Sequence, residues 1–365
     1  MNACLTDIAV LFCRTLAVIA MAATLTFSQS GRAKPTPTPT PKIFIGPSVL
    51  TSPSVPAVSV KASPTPSASP AKKPEDDVIK VEAALVPVPV SVTDQSGRPI
   101  TNLRVEDFQL TVDGKPAVIA DLTRSETPIR LAMLFDNSSS VMIARDFEKD
   151  AAVRFFRRVI RPDRDLAALF SVADYTKLEQ PLTRDVNQLV NAIEAFPNPN
   201  GATALLDGII EVANYLKSVN GRRVVVIVSD GEDTYSDIAT TLEDVTRSLH
   251  INNCQVYVVK TKDFENFKRT GLRGGNANIR ALTAERRMIE IAEQTGGAVY
   301  SPIDEDEMKA AFDQISAELS QQYILSYYPE DDTDKKGAFR TISLTVKAKP
   351  NLTVRTRKGY YVPKR

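Results

Sequence analysis

The stretch Leu131-Ala-Met-Leu-Phe135, followed by Asp136-Asn-Ser-Ser-Ser140, decides how the chain is read. Five apolar residues run directly into a carboxylate and three hydroxyls. A continuous apolar run of this length suits a strand buried on both faces. Hard oxygen groups just past its end suit a cation or phosphate site at the carboxyl edge of a parallel sheet.

From Pro128 onward, strands and helices alternate. The pattern predicts strands over Ile129–Phe135, Asp165–Ser171, Arg223–Ser229 and Gln255–Lys260, with Tyr175–Leu182 as an antiparallel edge strand. Helices are expected over Asp146–Val159, Val186–Ala195, Leu205–Ser218, Ile238–Leu249, Ala281–Glu293 and from about Asp306 to Ser320. Such alternation implies an α/β fold, doubly wound, with a mostly parallel sheet and helices on both faces. The uninterrupted Val224-Val-Val-Ile-Val228 is the expected central strand.

Two further loops bear on the opening stretch. Gly201-Ala-Thr203 precedes a helix, and Ser229-Asp230-Gly-Glu-Asp233 follows the valine-rich strand. Loops at the carboxyl ends of neighbouring strands converge on one crevice. Together the three offer hydroxyls and carboxylates, without sulfur or imidazole. Taken singly, Ser140 reads better as a helix cap and Asp230-Gly231 as a plain turn; the ordered combination is far more specific. Asp207 reads as helix structure, and Glu232 and Asp233 as a rim that tunes charge.

Composition narrows the chemistry. Forty-five basic residues balance forty-four acidic ones, against the basic surplus of a nucleic-acid binder. One histidine and three cysteines, two of them (Cys4 and Cys13) in the N-terminal apolar segment, exclude an ordinary His/Cys zinc site. A metal would therefore be hard and oxygen-liganded.

The flanks read differently. Residues 1–33, with the apolar run Thr15–Phe27, resemble a signal peptide, with an uncleaved signal anchor as the alternative. Either places the body of the protein outside the cytoplasm, secreted or in the envelope. Residues 34–78 hold eleven of the twenty-four prolines and read as a disordered or extended spacer. Residues 79–128 read as a small β-subdomain, with Val86 to Thr93 at a sheet edge because of Pro87 and Pro89. Asp113-Gly114 signals a hairpin. Residues 129–320 form the α/β domain, and 321–365 supply strands that pack with 79–128, including a closing hairpin of Gly337–Lys347 against Leu352–Arg357. Residues 261–280, basic and glycine-containing, read as a surface loop.

The ordered set Asp136-x-Ser138-x-Ser140, Thr203 and Asp230-Gly231 resembles the metal-ion-dependent adhesion site of von Willebrand factor type A domains. Over about residues 80–362 the chain is similar to a bacterial subgroup common in acidobacteria, through Val90–Asp94, Asp107-Phe108, Thr295-Gly-Gly297, Tyr323–Pro329 and Lys358–Tyr361. The resemblance implies a protein-binding or adhesion module. Mg²⁺, with Mn²⁺ or Ca²⁺ as alternatives, would be contacted by Ser138, Ser140 and Thr203, with Asp136 and Asp230 bound directly or through water. A Glu or Asp of a partner protein would complete the shell. Ser139 stands where the subgroup often has Gly.

An enzyme is the weaker reading. Ser138 lies in no G-x-S-x-G elbow, and the single histidine, His250, falls at an expected helix end. Asp136 as a phosphoryl acceptor would want a second acid and a lysine close by, which Asn137-Ser138 does not supply. A structural envelope protein with a fold-stabilising metal is the other alternative.

Overall fold

The computed structural model describes residues 85–124, 127–273, 278–329, 336–347 and 351–362. The expected export segment and proline-rich spacer lie outside the described residues. Strands β1 (Val86–Thr93), β2 (Phe108–Val112), β3 (Lys115–Ala117) and β4 (Ile119–Arg124) lead to β5 (Ile129–Asp136). Next come α1 (Arg145–Val159), β6 (Leu166–Val172), β7 (Thr176–Thr183), α2 (Val186–Glu194), α3 (Leu205–Leu216) and β8 (Arg222–Ser229). They are followed by α4 (Leu242–Ile251), β9 (Cys254–Lys260), α5 (Lys262–Thr270), α6 (Ile279–Thr295), β10 (Val299–Tyr300) and α7 (Glu305–Gln321). The last strands are β11 (Tyr323–Tyr327), β12 (Phe339–Val346), β13 (Thr353–Thr356) and β14 (Gly359–Tyr361).

The central sheet runs β10-β9-β8-β5-β6-β7, parallel except for β7. Strand β5 is apolar on both faces because both are covered. Leu131, Met133 and Phe135 pack with α1, α2 and α7, whereas Ala132 and Leu134 pack with α3, α4 and α6. The alternation of side chains along a strand makes this division. It also aims the carboxyl ends of β5 and β8 at the same rim.

The segments on either side of this sheet in sequence, 86–124 and 323–361, form two further four-stranded sheets, β13-β1-β11-β4 and β14-β12-β2-β3, which share one core. Val88, Val90 and Val92 meet Leu110, Val112, Ile342 and Leu344 there. Asp113 and Gly114 both take positive φ, at 48° and 77°, the backbone of a two-residue hairpin turn joining β2 to β3.

Three expectations are corrected. Strand β1 is not an edge: it pairs with β11 over Val86–Val90 and with β13 over Val90–Thr93. The prolines are tolerated because the β13 ladder starts only at Val90. Beyond its end, Pro87 O and Pro89 O accept hydrogen bonds from the side chains of Arg357 and Thr356. The closing hairpin does not form either. Strand β12 pairs with β2 and β14, while β13 pairs with β1, so the chain crosses from one sheet to the other. Alternate burial of Arg340, Ile342 and Leu344 commits β12 to the inner face of its own sheet. Third, residues 262–270 of the expected loop are helix α5, anchored by Phe264 in the core.

The flanking glycines also find a physical reason. Gly296 ends α6 at φ 81°, and a Cβ there would lie 2.5 Å from the backbone of Thr356 and Arg357. At Gly297 it would lie 1.7 Å from Val256 O. These positions are where α6, β9 and the segment after β13 press together.

Candidate metal centre

Three loops meet at the carboxyl rim, and a ring of hydrogen bonds ties them. The first loop joins the second through Ser139 N–H to Gly201 O (3.2 Å) and Asn200 N–H to Asn137 O (2.9 Å). The second joins the third because Thr203 O accepts from the N–H groups of Thr234 and Tyr235, both at 2.9 Å. Thr203 N–H donates to Thr234 Oγ1 at 3.0 Å. The third returns to the first when Ser229 Oγ donates to Asp136 Oδ2 at 2.6 Å. Ala204 N–H also donates to Ala173 O, fastening the second loop to the end of β6.

Within this ring, Asp136 is fully buried and its Oδ1 accepts the Ser138 N–H at 2.9 Å. Ser138 Oγ and Ser140 Oγ stand 3.0 Å apart. Thr203 and Asp230 are buried as well. Burial, then the neighbouring Asp230, raises the Asp136 pKa to about 6. Two carboxylates held together out of water repel, and a cation between them relieves both terms.

The donor set fits a small hard cation. Two adjacent octahedral ligands at ~2.1 Å lie ~3.0 Å apart, which is the observed Ser138–Ser140 hydroxyl spacing. Among the described residues no cluster of three or more His, Cys, Asp or Glu forms a metal site; any site here depends on hydroxyls.

Several neighbours escaped the sequence reading. Ser229 positions Asp136. The Arg145 guanidinium is stacked between the rings of Phe135 and Phe196, at 5.1 and 5.0 Å, and donates to Asp136 O and Pro197 O. Lys262, at the start of α5, places its ammonium 2.8 Å from Glu232 Oε1 and 3.4 Å from Asp230 Oδ2. Glu148 is wholly buried, and burial raises its pKa well above the carboxylate range. Only the apolar spacing of α1 and the basic start of 261–280 hinted at any of these.

Two assignments shift. Asp233 is not simply a charged rim: its Oδ1 accepts the N–H groups of Leu205 and Leu206 and so caps α3 from another loop. That leaves the α3 N-terminus occupied rather than open to an anion. Asp207 does more than build its helix, because its carboxylate accepts from Asp237 N–H and Thr240 Oγ1 and pins the β8–α4 loop.

A family model described as von Willebrand factor type A domain matches residues 131–232, which include all five site residues. The chain carries a von Willebrand factor type A domain. Among solved structures, the type A domain is similar to the PilB minor pilin from Streptococcus sanguinis, at 14% identity and TM-score 0.41 over 55% of this chain and 63% of that one. Similarity to a von Willebrand factor type A protein from Catenulispora acidiphila spans 76% of this chain and 74% of that one, at 11% identity and TM-score 0.44. An aerotolerance-related membrane protein from Bacteroides fragilis NCTC 9343 aligns at 19% identity and TM-score 0.40, over 52% of this chain and 98% of that one. The chain thus spans less than two thirds of the pilin's length. No curated protein sequence matches it. Among the described residues no helix is long and apolar enough to cross a membrane.

Proposed function

We propose that this type A domain is a metal-dependent protein-binding module acting outside the cytoplasm. The observation that carries the reading is the Ser138–Ser140 hydroxyl pair at 3.0 Å, set over the buried Asp136 beside Asp230. Mg²⁺ fits this donor set, with Mn²⁺ or Ca²⁺ as alternatives. Ser138, Ser140 and Thr203 would hold it directly, and Asp136 and Asp230 directly or through water. The metal supplies a positive point to which a Glu or Asp of a partner protein binds.

Exposed apolar side chains on the loops after β5 and β8 and in the β6–β7 turn support a protein ligand. Met142, Tyr175, Tyr235 and Ile238 are all largely solvent-exposed. A charged centre with apolar side chains around it suits a carboxylate carried on a protein surface. The apolar segment Thr15–Phe27 supports export, by cleavage or as an anchor. Among the described residues Ser138 is hydrogen-bonded to Asp136 and Ser140 and to no general base, which favours binding over catalysis.

Calorimetric titration of the full chain with Mg²⁺ tests the site. Asp136→Ala and Thr203→Ala are each expected to abolish the binding heat while the fold persists. Undiminished affinity in both variants sinks the assignment. Capture of envelope proteins with and without a chelator then tests the partner: a protein retained equally in both conditions counts against a metal-completed interface.

A further inference from the structure

A second cavity, of about 130 Å³, lies at the other end of the central sheet, where the amino ends of β8 and β9 approach β1 and β11. Pro87 and Pro89 of β1 and Ile324 of β11 line it from one flanking sheet and supply apolar surface. Arg223, His250 and Gln255 line it from the type A domain, and Arg357 from the segment after β13. Exposed Thr127, Gly221 and Asn253 stand at its margin, so it opens to solvent.

Its charge is one-sided. Among the described residues no carboxylate lines it. Arg357, only 8% exposed, donates to Asn253 Oδ1 at 2.6 Å and Pro87 O at 2.7 Å. Among the described residues Arg223 donates only to the carbonyls of Lys217, Val219 and Asn252. Both guanidinium ions are met by neutral oxygens, and burial pulls the Arg357 pKa down to about 10. A buried cation without a countercharge is costly.

Three polar atoms of buried lining residues also have no hydrogen-bond partner: Arg357 Nε, His250 Nε2 and Gln255 Oε1. Gln255 Nε2 is committed to Gly296 O and Tyr257 Oη, which fixes Oε1 as a true orphan acceptor. These three atoms are closed off from solvent and lie behind the cavity wall, so it is the charge and the apolar surface of the wall itself that point to a ligand. The space is roughly ten times the ~10–15 Å³ one water needs, room for a few heavy atoms.

We propose that this cavity binds a small organic carboxylate, its anionic group against Arg357 and Arg223 and its short aliphatic part against Pro87, Pro89 and Ile324. The guanidinium ions select an anion, and the proline and isoleucine surface selects a carbon chain over a fully hydrated oxyanion. The site is separate from the metal centre and does not depend on it.

Titration calorimetry of the full chain with butyrate, in the presence of a chelator, tests this. The wild-type chain is expected to bind butyrate, and Arg357→Gln to bind it at least ~10-fold more weakly, the usual loss for a hydrogen-bonded charge. Thr127→Trp adds bulk at the exposed mouth, and is expected to lose binding while melting as the wild type does. If Arg357→Gln fails to fold, Thr127→Trp alone decides. Absence of binding, equal binding by Thr127→Trp, or equally strong competition by inorganic phosphate or chloride overturns the proposal.

Discussion

The Ser229 hydroxyl donates to Oδ2 of Asp136 at 2.6 Å, across the neighbouring parallel strands β8 and β5. The bond joins the last residues of the two strands and closes the ring of three loops. It also fixes one oxygen of a carboxylate that has no solvent to orient it. Ser229→Ala is therefore expected to weaken Mg²⁺ binding ~10-fold and to cost about 2 kcal/mol of stability, the range for a hydrogen bond to a buried charge. Ser229→Thr, which keeps the hydroxyl, should restore both. Calorimetry and denaturant titration on the three proteins check it.

Lys262 competes with a metal for Asp230. Its ammonium sits between Asp230 and Glu232, one-quarter exposed. Partly exposed ion pairs of this kind contribute up to ~1 kcal/mol, and that attraction opposes entry of a metal cation. Lys262→Met should tighten Mg²⁺ binding ~5-fold at low salt. The gain should shrink as ionic strength rises. Weaker binding in the variant would instead mark Lys262 as a support of the site.

His250 should make the fold acid-sensitive. Burial first, then Arg357, depresses its pKa from 6.5 to about 4. The unfolded chain then binds a proton that the folded chain refuses. Stability is full above pH 6.5, falls as the pH drops from 6.5 to about 4, and levels off below. The loss from this group amounts to about 3 kcal/mol. Asp136, raised to about 6, works in the opposite direction between pH 6 and 3.8. The informative comparison is therefore His250→Gln against wild type in urea melts at pH 7.5 and 4.5. The variant should lose less stability on acidification.

Gly297 should tolerate no side chain. Its Cβ would overlap the Val256 carbonyl, which is backbone and cannot swing aside. Gly297→Ala is expected to destabilise by ~3 kcal/mol or more, whereas Gly114→Ala, with open space around its Cβ, should cost less despite its positive φ. Thermal melts of the two variants, read against wild type, test the difference.

The alternating strands and helices of the type A domain were legible because periodicity is local. Leu131–Phe135 and Val224–Val228 are apolar at every position, and only a strand covered on both faces accepts that. Their polar successors, Asp136–Ser140 and Ser229–Asp230, had to emerge at the carboxyl rim. The sequence could not show that β1, despite Pro87 and Pro89, is paired on both sides, nor that β12 and β13 lie in different sheets. Strand partners are non-local, and several registers satisfy the same alternation.

The candidate site divides in the same way. Sequence order, together with the resemblance to the type A metal site, supplied Asp136, Ser138, Ser140, Thr203 and Asp230 as candidates, since each follows or precedes a recognisable element. Tertiary structure alone supplied Ser229 as the donor to Asp136, Asp233 as the cap of α3, and Lys262 beside Asp230. It also assembled the arginine-lined cavity from residues between Pro87 and Arg357. Which elements form is written in neighbouring residues; which polar groups meet is decided by burial, where each buried donor and acceptor must find its partner across the fold.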